Sequence, residues 1–494
     1  MSAGAGAAAA GTSDARADLN ALLALREFHP FEAAGERFVY MVPSAGVFRL
    51  DGPSAAVIDA LADGPRSPDD LVAELADSFG AGRVQETLEE LAGIKAIGAA
   101  DAPREEVVND LPPDGFPLTT MVLNVTNKCN LACTYCYEYG EDIIVVTTFG
   151  DKTKFMLDET ARESVEFLLK ESGDLPVAHL TFFGGETLLN FPVLQDTVAY
   201  ARRRGAEVGK RIEFSLTTNA TLLRPDIIEW LAENEIGVTV SIDGPKEMQD
   251  RMRVFHSGRG SYETVQPKIR ELLSRHRTRP IGARVTLTRE NLDIRRIYEH
   301  LRDDMGFWEI GFAPVTTDAS RDYAIEDEGL DDMLGQFEEL AYEWLEAAVE
   351  NRHHGFSNVK DTLEEIHKGV SKAYPCGAGL GLMGVSTAGD VGLCHRFAGS
   401  ENHKFGTVTE GIDREHQREF LEDHHIKNKT DCHTCWARPI CSGGCYHESH
   451  VRNGSTTGPN LHFCTWVRSW THTCLQIYGE LSERNPEFLA RFDA

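Results

Sequence analysis

The most informative stretch of this 494-residue chain reads Asn124-Val-Thr-Asn-Lys-Cys-Asn-Leu-Ala-Cys-Thr-Tyr-Cys-Tyr137. It places Cys129, Cys133 and Cys136 in a C-x3-C-x2-C spacing, just after the apolar run 121–125. Thiolates are the usual ligands of iron–sulfur clusters, so three of them on one loop can hold three corners of a cubane cluster. The fourth iron is then open to a substrate or a cofactor. The alternative is a zinc site, which normally needs four ligands, and the loop offers no evident fourth one.

Composition argues against two classes of partner. The net charge of −29 argues against nucleic acid, because binding to a phosphate backbone needs a basic face. No apolar run is long enough to cross a bilayer, so we expect no membrane partner and a cytoplasmic location. The eleven cysteines are an odd number, none precedes Cys129 and eight follow residue 375, which indicates metal ligation rather than a disulfide framework.

The N-terminal part of the chain predicts three segments. Residues 1–20 are an Ala/Gly-rich, disordered tail. Residues 21–101 combine strand-like runs at 37–42 and 46–50 with three helical patterns, one capped by Ser67 and opened by Pro68, and this suggests a winged-helix-like module. Residues 102–118 contain four prolines and predict a linker.

Strand and helix patterns alternate from residue 119 to about 315, in a segment that we extend to residue 370. Helices are predicted between the strands, one of them with Asp158 as its N-cap, and residues 316–370 predict two acidic packing helices. In β/α folds of this kind the chemistry takes place beyond the carboxyl ends of the strands. The predicted strands are 121–126, 179–183, 212–217, 238–242, 283–288 and 309–314.

Glycines and polar side chains follow four of these strands. The two glycines in Phe183-Gly-Gly-Glu186 let the backbone approach a ligand, and the glutamate can accept hydrogen bonds from an ammonium group. Asp243 is either a general base or a turn residue that bonds its own backbone before Gly244-Pro245. Arg284 either binds a carboxylate bidentately or forms a salt bridge on the strand face. The candidate residues are Gly184, Gly185, Glu186, Thr218, Asn219, Ser241, Asp243 and Arg284.

The remaining cysteines form a compound pattern in residues 371–494, which we take as one domain. A C-x2-C-x5-C-x3-C run lies between two isolated upstream cysteines and a later one. A zinc ribbon would use four of these seven and leave three as free thiols. The candidate metal ligands are Cys376, Cys394, Cys432, Cys435, Cys441, Cys445 and Cys464.

Taken together, these patterns resemble the radical S-adenosylmethionine (SAM) enzymes that carry a SPASM extension. The resemblance implies an α/β fold with a partial (β/α)6 TIM-like barrel, since six repeats are too few for a complete eight-fold barrel. It also implies an N-terminal winged-helix-like domain that recognises a peptide by adding a strand to an exposed edge, and a C-terminal iron–sulfur SPASM domain. The implied cofactors are SAM and three 4Fe–4S clusters, one for SAM and two auxiliary.

The same resemblance implies roles for single residues. SAM fills the open iron of the first cluster, Tyr135 lies on the adenine, the Gly184–Glu186 motif holds the amino group and Ser241 contacts the ribose. One auxiliary cluster takes Cys432, Cys435, Cys441 and Cys464, and the other takes Cys376, Cys394 and Cys445. Relatives often complete the latter with a further cysteine that is missing here between residues 376 and 394. Either one iron stays open or another group reaches it, and Cys474 is either that ligand or an inert buried thiol.

Stretches such as 215–223, 282–288, 393–397 and 441–449 look like the maturases of quinohemoprotein amine dehydrogenase, although Asn127-Lys128 departs from them. The likeness implies that a 5′-deoxyadenosyl radical starts an intrapeptide thioether bond from a Cys sulfur to the side-chain methylene of an Asp or Glu. The implied substrate is the small cysteine-rich γ-subunit of that dehydrogenase, held by residues 21–101. Asp243 would take the proton, an auxiliary cluster the electron, and a donor such as flavodoxin or ferredoxin would supply the starting electron.

Other interpretations remain open from the sequence. The enzyme could make another bond, such as a carbon–carbon link or an oxidised sulfatase residue. A non-catalytic iron–sulfur scaffold or electron carrier would use the same cysteines, and so would a zinc-binding winged-helix regulator. The N-terminal module could also be a packing domain without a ligand.

Overall fold

The computed structural model describes residues 21–104, 111–113, 115–136 and 154–493. The predicted tail at residues 1–20, part of the predicted linker and Tyr137 lie outside the described residues.

The N-terminal unit contains two small antiparallel sheets and three helices. Its elements are β1 (Leu23–Leu25), β2 (Phe28–Ala33), β3 (Glu36–Met41), β4 (Val47–Leu50), α1 (Gly52–Leu61), α2 (Pro68–Phe79), α3 (Ala81–Gly93) and β5 (Ile97–Ala99). Strands β2, β3 and β4 form one sheet in that order, and β1 pairs with β5. Helix α2 begins as predicted, because Ser67 Oγ accepts a hydrogen bond from Asp70 N at 3.1 Å. The unit has its own hydrophobic core, which includes Val39 and Leu71.

The six predicted barrel strands all form, and each is parallel to the next one along the chain. Their inward and outward side chains alternate, so that Phe214 and Leu216 of the third strand are buried between less buried neighbours. The elements are β6 (Thr120–Thr126), α4 (Asp158–Glu171), β7 (Val177–Gly184), α5 (Phe191–Val208), β8 (Arg211–Thr218), α6 (Pro225–Glu233), β9 (Gly237–Ser241), α7 (Lys246–Met252), α8 (Tyr262–Arg275), β10 (Ile281–Leu287), α9 (Ile294–Glu299), β11 (Glu309–Pro314), α10 (Asp327–Val349) and α11 (Ser357–Lys368). The result is an α/β fold with a mostly parallel central sheet whose carboxyl ends share one edge.

One predicted helix start is wrong by a residue. Helix α4 begins at Asp158, so the N-cap position belongs to Leu157, which offers no side-chain cap. An acid in the first turn still favours the helix, because its charge lies near the positive end of the helix dipole.

The C-terminal segment continues the barrel sheet. Strand β12 pairs in parallel with β6, and the next three strands follow in antiparallel order, so the sheet has ten strands. The sequence did not predict this extension. The elements are β12 (Leu382–Val385), β13 (Asp390–Gly392), β14 (Lys404–Thr407), β15 (Gly411–Ile412), α12 (Arg414–His424), α13 (Arg438–Cys441), α14 (Tyr446–Asn453), α15 (Leu461–Arg484) and α16 (Pro486–Leu489).

The N-terminal unit is seated on this C-terminal segment. Arg438 donates to Glu27 at 2.6 Å, and its own side chain is buried. His29 stacks on Trp436 with ring centroids 3.6 Å apart, and Glu480 of α15 accepts a hydrogen bond from Ala34 N. The unit is therefore joined to the cysteine-rich part of the chain by charge, stacking and backbone contacts.

No helix in the described ranges is long and apolar enough to span a membrane.

Phe337 of α10 is central to the packing between α10, α11 and α15. Its ring is fully buried and meets the rings of Phe356, Trp466 and Trp470 edge to face, at 5.3 to 5.4 Å between centroids. Such pairs add to the gain from burying apolar surface.

Phe337→Ala should therefore destabilise the protein by about 3–5 kcal/mol, because it removes a large buried side chain and leaves a cavity. Urea denaturation followed by tryptophan fluorescence measures the change. Tyr342→Ala is the matched control, since Tyr342 lies on the same helix and is 43% exposed. Equal stability of the two variants would contradict this view of the packing.

Candidate cofactor and cluster sites

A cavity of about 570 Å³ opens at the carboxyl ends of the barrel strands. It brings together residues from β7, β8, β9, β10 and the cysteine loop that follows β6. The predicted site residues in its lining are Cys129, Tyr135, Cys133, Cys136, Gly184, Gly185, Thr218, Asn219, Ser241 and Arg284. Glu186 and Asp243, which were also predicted, are not among the lining residues.

The cysteine loop is held close to the strand ends by hydrogen bonds. Cys129 Sγ accepts from Leu131 N at 3.5 Å and from Asn219 Nδ2 at 3.6 Å. Burial raises the pKa of Cys129 and of Cys133 to about 12. These thiols stay protonated unless a cation replaces the proton, and the irons of a cluster supply such positive charge. The buried donor set therefore fits a cluster.

Gly184 shows why the strand end needs a glycine. Its φ is +131°, and a Cβ placed there would lie 2.3 Å from the carbonyl oxygen of Thr126. Gly185 N also donates to Thr126 O at 3.0 Å. The ends of β6 and β7 therefore meet backbone to backbone beneath the cysteine loop.

Glu186 lies behind the cavity, and its predicted contact with an ammonium group stays a prediction. Its carboxylate is fully buried and accepts hydrogen bonds from Thr218 Oγ1 at 2.7 Å, Asn219 N at 2.8 Å and Leu188 N at 3.1 Å. Burial raises the pKa of this carboxyl. Glu186 thus ties the end of β7 to the end of β8 and shapes the cavity from behind.

Asp243 has a buried carboxylate that is bonded to three groups from other parts of the chain. It accepts from the Tyr135 hydroxyl at 2.5 Å and from Thr286 N at 3.1 Å, and it forms an ion pair with Arg253 Nε at 2.9 Å. Arg253 also lies over the Tyr135 ring, 5.4 Å from its centroid. The carboxylate is fully enclosed. This geometry supports a positioning role for Asp243 toward Tyr135 and Arg253, and its role as a base stays a prediction.

Arg284 offers the cavity a positive charge. Within the described ranges no carboxylate lies at ion-pair distance from it, so the predicted alternative of a strand-face salt bridge does not form there. Burial and the neighbouring Arg396 lower the pKa of Arg284, but a guanidinium remains protonated in proteins. A carboxylate-bearing ligand would neutralise this charge.

Two lining residues from the C-terminal segment were missed. His395 lies against Phe183 with ring centroids 4.6 Å apart, and Arg396 donates to Thr316 Oγ1 and His447 Nδ1, both at 3.1 Å. Both residues directly follow the predicted ligand Cys394, and this position in the sequence could have identified them as candidates. They show that the segment of the auxiliary cysteines also forms one wall of the cavity.

The C-terminal cysteines fall into two groups by proximity. Burial, with smaller contributions from Cys464 and Cys435, raises the pKa of Cys441 to about 11. Burial, with a smaller contribution from Cys445, raises the pKa of Cys394 to about 12. A second cavity of about 170 Å³ is lined by Cys432, Cys435, Cys441 and Cys464 of one group and by Cys445 of the other.

The spacing of these thiols differs from that of a single-ion site. Among the described residues, no three Cys, His, Asp or Glu side chains converge closely enough to hold one metal ion. Each thiolate of a cubane cluster binds a different iron, whereas all ligands of a zinc ion surround one point. The donor sets consist of cysteines, which are the usual ligands of iron–sulfur clusters.

Cys474 lies apart from both groups. It is fully buried in the main hydrophobic core on α15, where its nearest polar partner is Thr362. Of the two predicted readings, the structure favours the inert buried thiol.

The barrel part of the chain matches a known protein family. The model of the radical SAM superfamily matches residues 123–301, which contain the cysteine loop and five of the six barrel strands. The barrel resembles that of the radical SAM superfamily. Members of this superfamily use SAM and a 4Fe–4S cluster.

Individual relatives agree with this assignment. An uncharacterized protein of Methanocaldococcus jannaschii is 31% identical over 172 residues, which are 35% of this chain and about half (54%) of that protein. The serine-type anaerobic sulfatase-maturating enzyme of Bacteroides thetaiotaomicron is 28% identical over 67% of this chain and 83% of its own. The solved structure of native anSMEcpe with bound AdoMet shares the fold, with a TM-score of 0.61 and 20% identity over 76% of this chain and all of that one.

Asp243→Asn separates positioning from general-base catalysis. It leaves the buried Arg253 cation without its counter-charge, a loss that typically costs about 3–5 kcal/mol. We expect the variant to lose formation of 5′-deoxyadenosine from SAM even without substrate, measured by chromatography of the reduced protein. Arg253→Met should lose it as well, whereas Asp226→Asn, at an exposed ion pair, should not.

The opposite pattern would contradict the positioning role. If Asp243→Asn cleaved SAM normally and failed only at the product-forming step, Asp243 would act as the base.

Arg284→Met should weaken SAM binding about ten- to a hundredfold, because a hydrogen-bonded charge contributes about 1.5–3 kcal/mol. Equilibrium dialysis of the cluster-loaded protein measures the dissociation constant. Arg279→Met is the control, since Arg279 lies just before the amino end of the same strand and pairs with Glu213. An unchanged dissociation constant in Arg284→Met would show that Arg284 does not bind SAM.

Proposed function

We propose that the protein is a SAM-dependent peptide maturase that forms intrapeptide thioether crosslinks. The observation that carries the proposal is the single cavity in which an open-site cysteine loop, the Arg284 cation and a wall from the auxiliary cysteine segment meet. When bound, SAM and the loop cluster would supply a 5′-deoxyadenosyl radical. The chain's own residues would hold and orient the reacting groups.

Each lining residue has a task in this proposal. Arg284 pairs with the SAM carboxylate, and Ser241 lies where the ribose is expected. Tyr135 offers its ring to the adenine, and its hydroxyl is fixed by Asp243 at 2.5 Å. The ring is therefore held in one orientation before the cofactor arrives, which lowers the entropy cost of binding.

The proposed reaction balances in atoms and electrons. One electron from an external donor, such as flavodoxin or ferredoxin, cleaves SAM to methionine and the radical. The radical takes one hydrogen atom from the methylene carbon of a substrate Asp or Glu. The substrate Cys sulfur then bonds to that carbon and releases a proton to solvent in the cavity and an electron to an auxiliary cluster. The peptide loses two hydrogens for each crosslink.

The N-terminal unit is proposed to hold the peptide. Its three-stranded sheet has two edges. At the β2 edge, Gln476 and Glu480 of α15 bond the backbone of Glu32 and of Ala34, which follows the strand, whereas at the β4 edge Glu483 of α15 pairs with the Arg49 side chain. Strand β4 is the other edge, so a peptide strand can add to it. The unit rests on the cysteine-rich segment through Arg438 and Glu27, which supports delivery of a bound chain to this side of the barrel.

The proposed substrate is the small cysteine-rich γ-subunit of quinohemoprotein amine dehydrogenase. Support comes from the sequence likeness to its maturases and from an auxiliary group with three cysteines, which leaves room for a substrate thiolate.

A second candidate is maturation of a sulfatase by oxidation of a Ser or Cys. The relationship to the Bacteroides thetaiotaomicron enzyme favours it. Against it, about a quarter of this chain lies outside the superposition on anSMEcpe, although that superposition covers the whole of the other chain. This excess is close to the combined length of the tail, the N-terminal unit and the linker.

Co-expression of the protein with the γ-subunit tests the proposal. We expect mass spectrometry to show a loss of two hydrogens per crosslink and a matching loss of alkylatable thiols. A variant in which Cys129, Cys133 and Cys136 are all Ala is the control and should leave the peptide unmodified.

An unmodified γ-subunit beside an active wild-type enzyme would contradict the proposed substrate. Conversion of a sulfatase peptide to an aldehyde by the same enzyme would favour the second candidate.

A further inference from the structure

Lys429 is a buried cation without a carboxylate partner. Its side chain is 1% exposed, and it follows the short helical turn Ile426–Asn428. Nζ donates one long hydrogen bond, 3.3 Å, to the carbonyl oxygen of Gly443 and lies 5.0 Å from the centroid of the Tyr446 ring. In the part of the chain that the structure describes, no Asp or Glu lies at ion-pair distance from it. A buried charge is costly unless an opposite charge compensates it, so the counter-charge must come from another kind of group.

Cysteines from both auxiliary groups lie near this lysine. Cys432 N donates to the carbonyl oxygen of Lys429 at 3.1 Å, and a Cβ built on Gly443 would lie 2.7 Å from Lys429 Nζ, so the ammonium is next to the turn that carries Cys441 and Cys445. Burial lowers the pKa of Lys429, and the sulfurs of Cys432, Cys441, Cys445 and Cys376 oppose that effect when they are thiolates. Cys432 and Cys441 belong to one group, and Cys445 and Cys376 belong to the other. The ammonium therefore lies beside ligands of both groups.

The turn that joins the two groups is shaped around the lysine. It reads Cys441-Ser-Gly-Gly-Cys445, and its three central residues have φ values of +51°, +84° and +76°. A Cβ on Gly443 would lie 2.4 Å from Lys429 Cδ. A side chain at this position would displace the end of the lysine side chain, and the φ of +84° also favours glycine. One ligand of each group is thus carried by a turn that encloses Lys429.

We propose that Lys429 is the shared counter-cation of the two auxiliary clusters and raises the reduction potential of both. The inference rests on the cluster assignment of the proposed function and adds a residue that controls the electron's path. Reduction adds negative charge to a cluster, and a fixed positive charge nearby stabilises the reduced state. Because one cation lies beside both clusters, its removal should shift both potentials in the same direction.

A redox titration followed by electron paramagnetic resonance tests this inference on the full-length protein after anaerobic loading with iron and sulfide. Lys429→Met and Lys429→Gln remove the charge and should shift both auxiliary midpoint potentials to lower values. The cluster of Cys129, Cys133 and Cys136 should keep its potential. Lys429→Arg keeps the charge and should stay near the wild type. Lys427→Met is the matched control, since Lys427 is exposed two residues away in the same segment.

Each outcome decides the question. Unchanged potentials in Lys429→Met and Lys429→Gln, or a shift of one auxiliary cluster alone, would overturn the shared role. Lys429→Met and Lys429→Gln could both fail to retain auxiliary iron and sulfide. In that case, retention of iron and sulfide by Lys429→Arg supports the need for a positive charge. Loss of them in Lys429→Arg as well would show that the residue acts by packing, and this would overturn the inference. A wild-type protein that binds only one cluster would instead contradict the auxiliary clusters themselves.

Discussion

A charge removed from water needs an opposite charge or a set of hydrogen bonds, and this constraint organises the candidate sites. Asp243 and Arg253 satisfy each other beneath Tyr135. Glu186 is satisfied by donors from the end of β8. Arg284 and Lys429 lack a carboxylate partner in the described part of the chain, and each of them faces a place where an anionic group is proposed. The charged side chains that are neutralised within the protein, such as Asp243 and Arg253, position the residues of the site. Those without a carboxylate partner in the described part of the chain, Arg284 and Lys429, indicate that the site binds anionic groups.

The C-terminal segment, which carries the auxiliary cysteines, also forms one wall of the barrel cavity. Strand β12 joins the barrel sheet beside β6, and the next residues lead to Cys394 and the lining residue Arg396. An electron released in the cavity would therefore arise beside the segment that carries the auxiliary cysteines. The N-terminal unit contacts the same segment, through Arg438 and Trp436. Peptide binding, bond formation and electron removal are thus proposed to share one side of the molecule.

Much of the fold could be predicted from the sequence, because its signals are local. The barrel strands follow from short apolar runs, and α2 follows from Ser67 and Pro68 at its start. The cysteine spacings identified the candidate ligands, and the strand ends identified several residues of the cavity lining. These patterns depend only on residues near one another in the chain.

The rest depended on contacts between distant residues. Asp243 and Tyr135 are 108 positions apart, and no local pattern shows that they form a hydrogen bond. Glu186 turns inward because Thr218 and Asn219 offer it donors, which a motif alone does not reveal. The pairing of β12 with β6 joins residues more than 260 positions apart.

The most direct test of the account follows a single hydrogen atom. A substrate peptide with deuterium on the side-chain methylene of its Asp or Glu residues is incubated with the reduced enzyme and SAM, and the 5′-deoxyadenosine formed is analysed by mass spectrometry. The account predicts that one deuterium appears in 5′-deoxyadenosine for each crosslink made. Crosslinked peptide together with 5′-deoxyadenosine that carries no deuterium would contradict it.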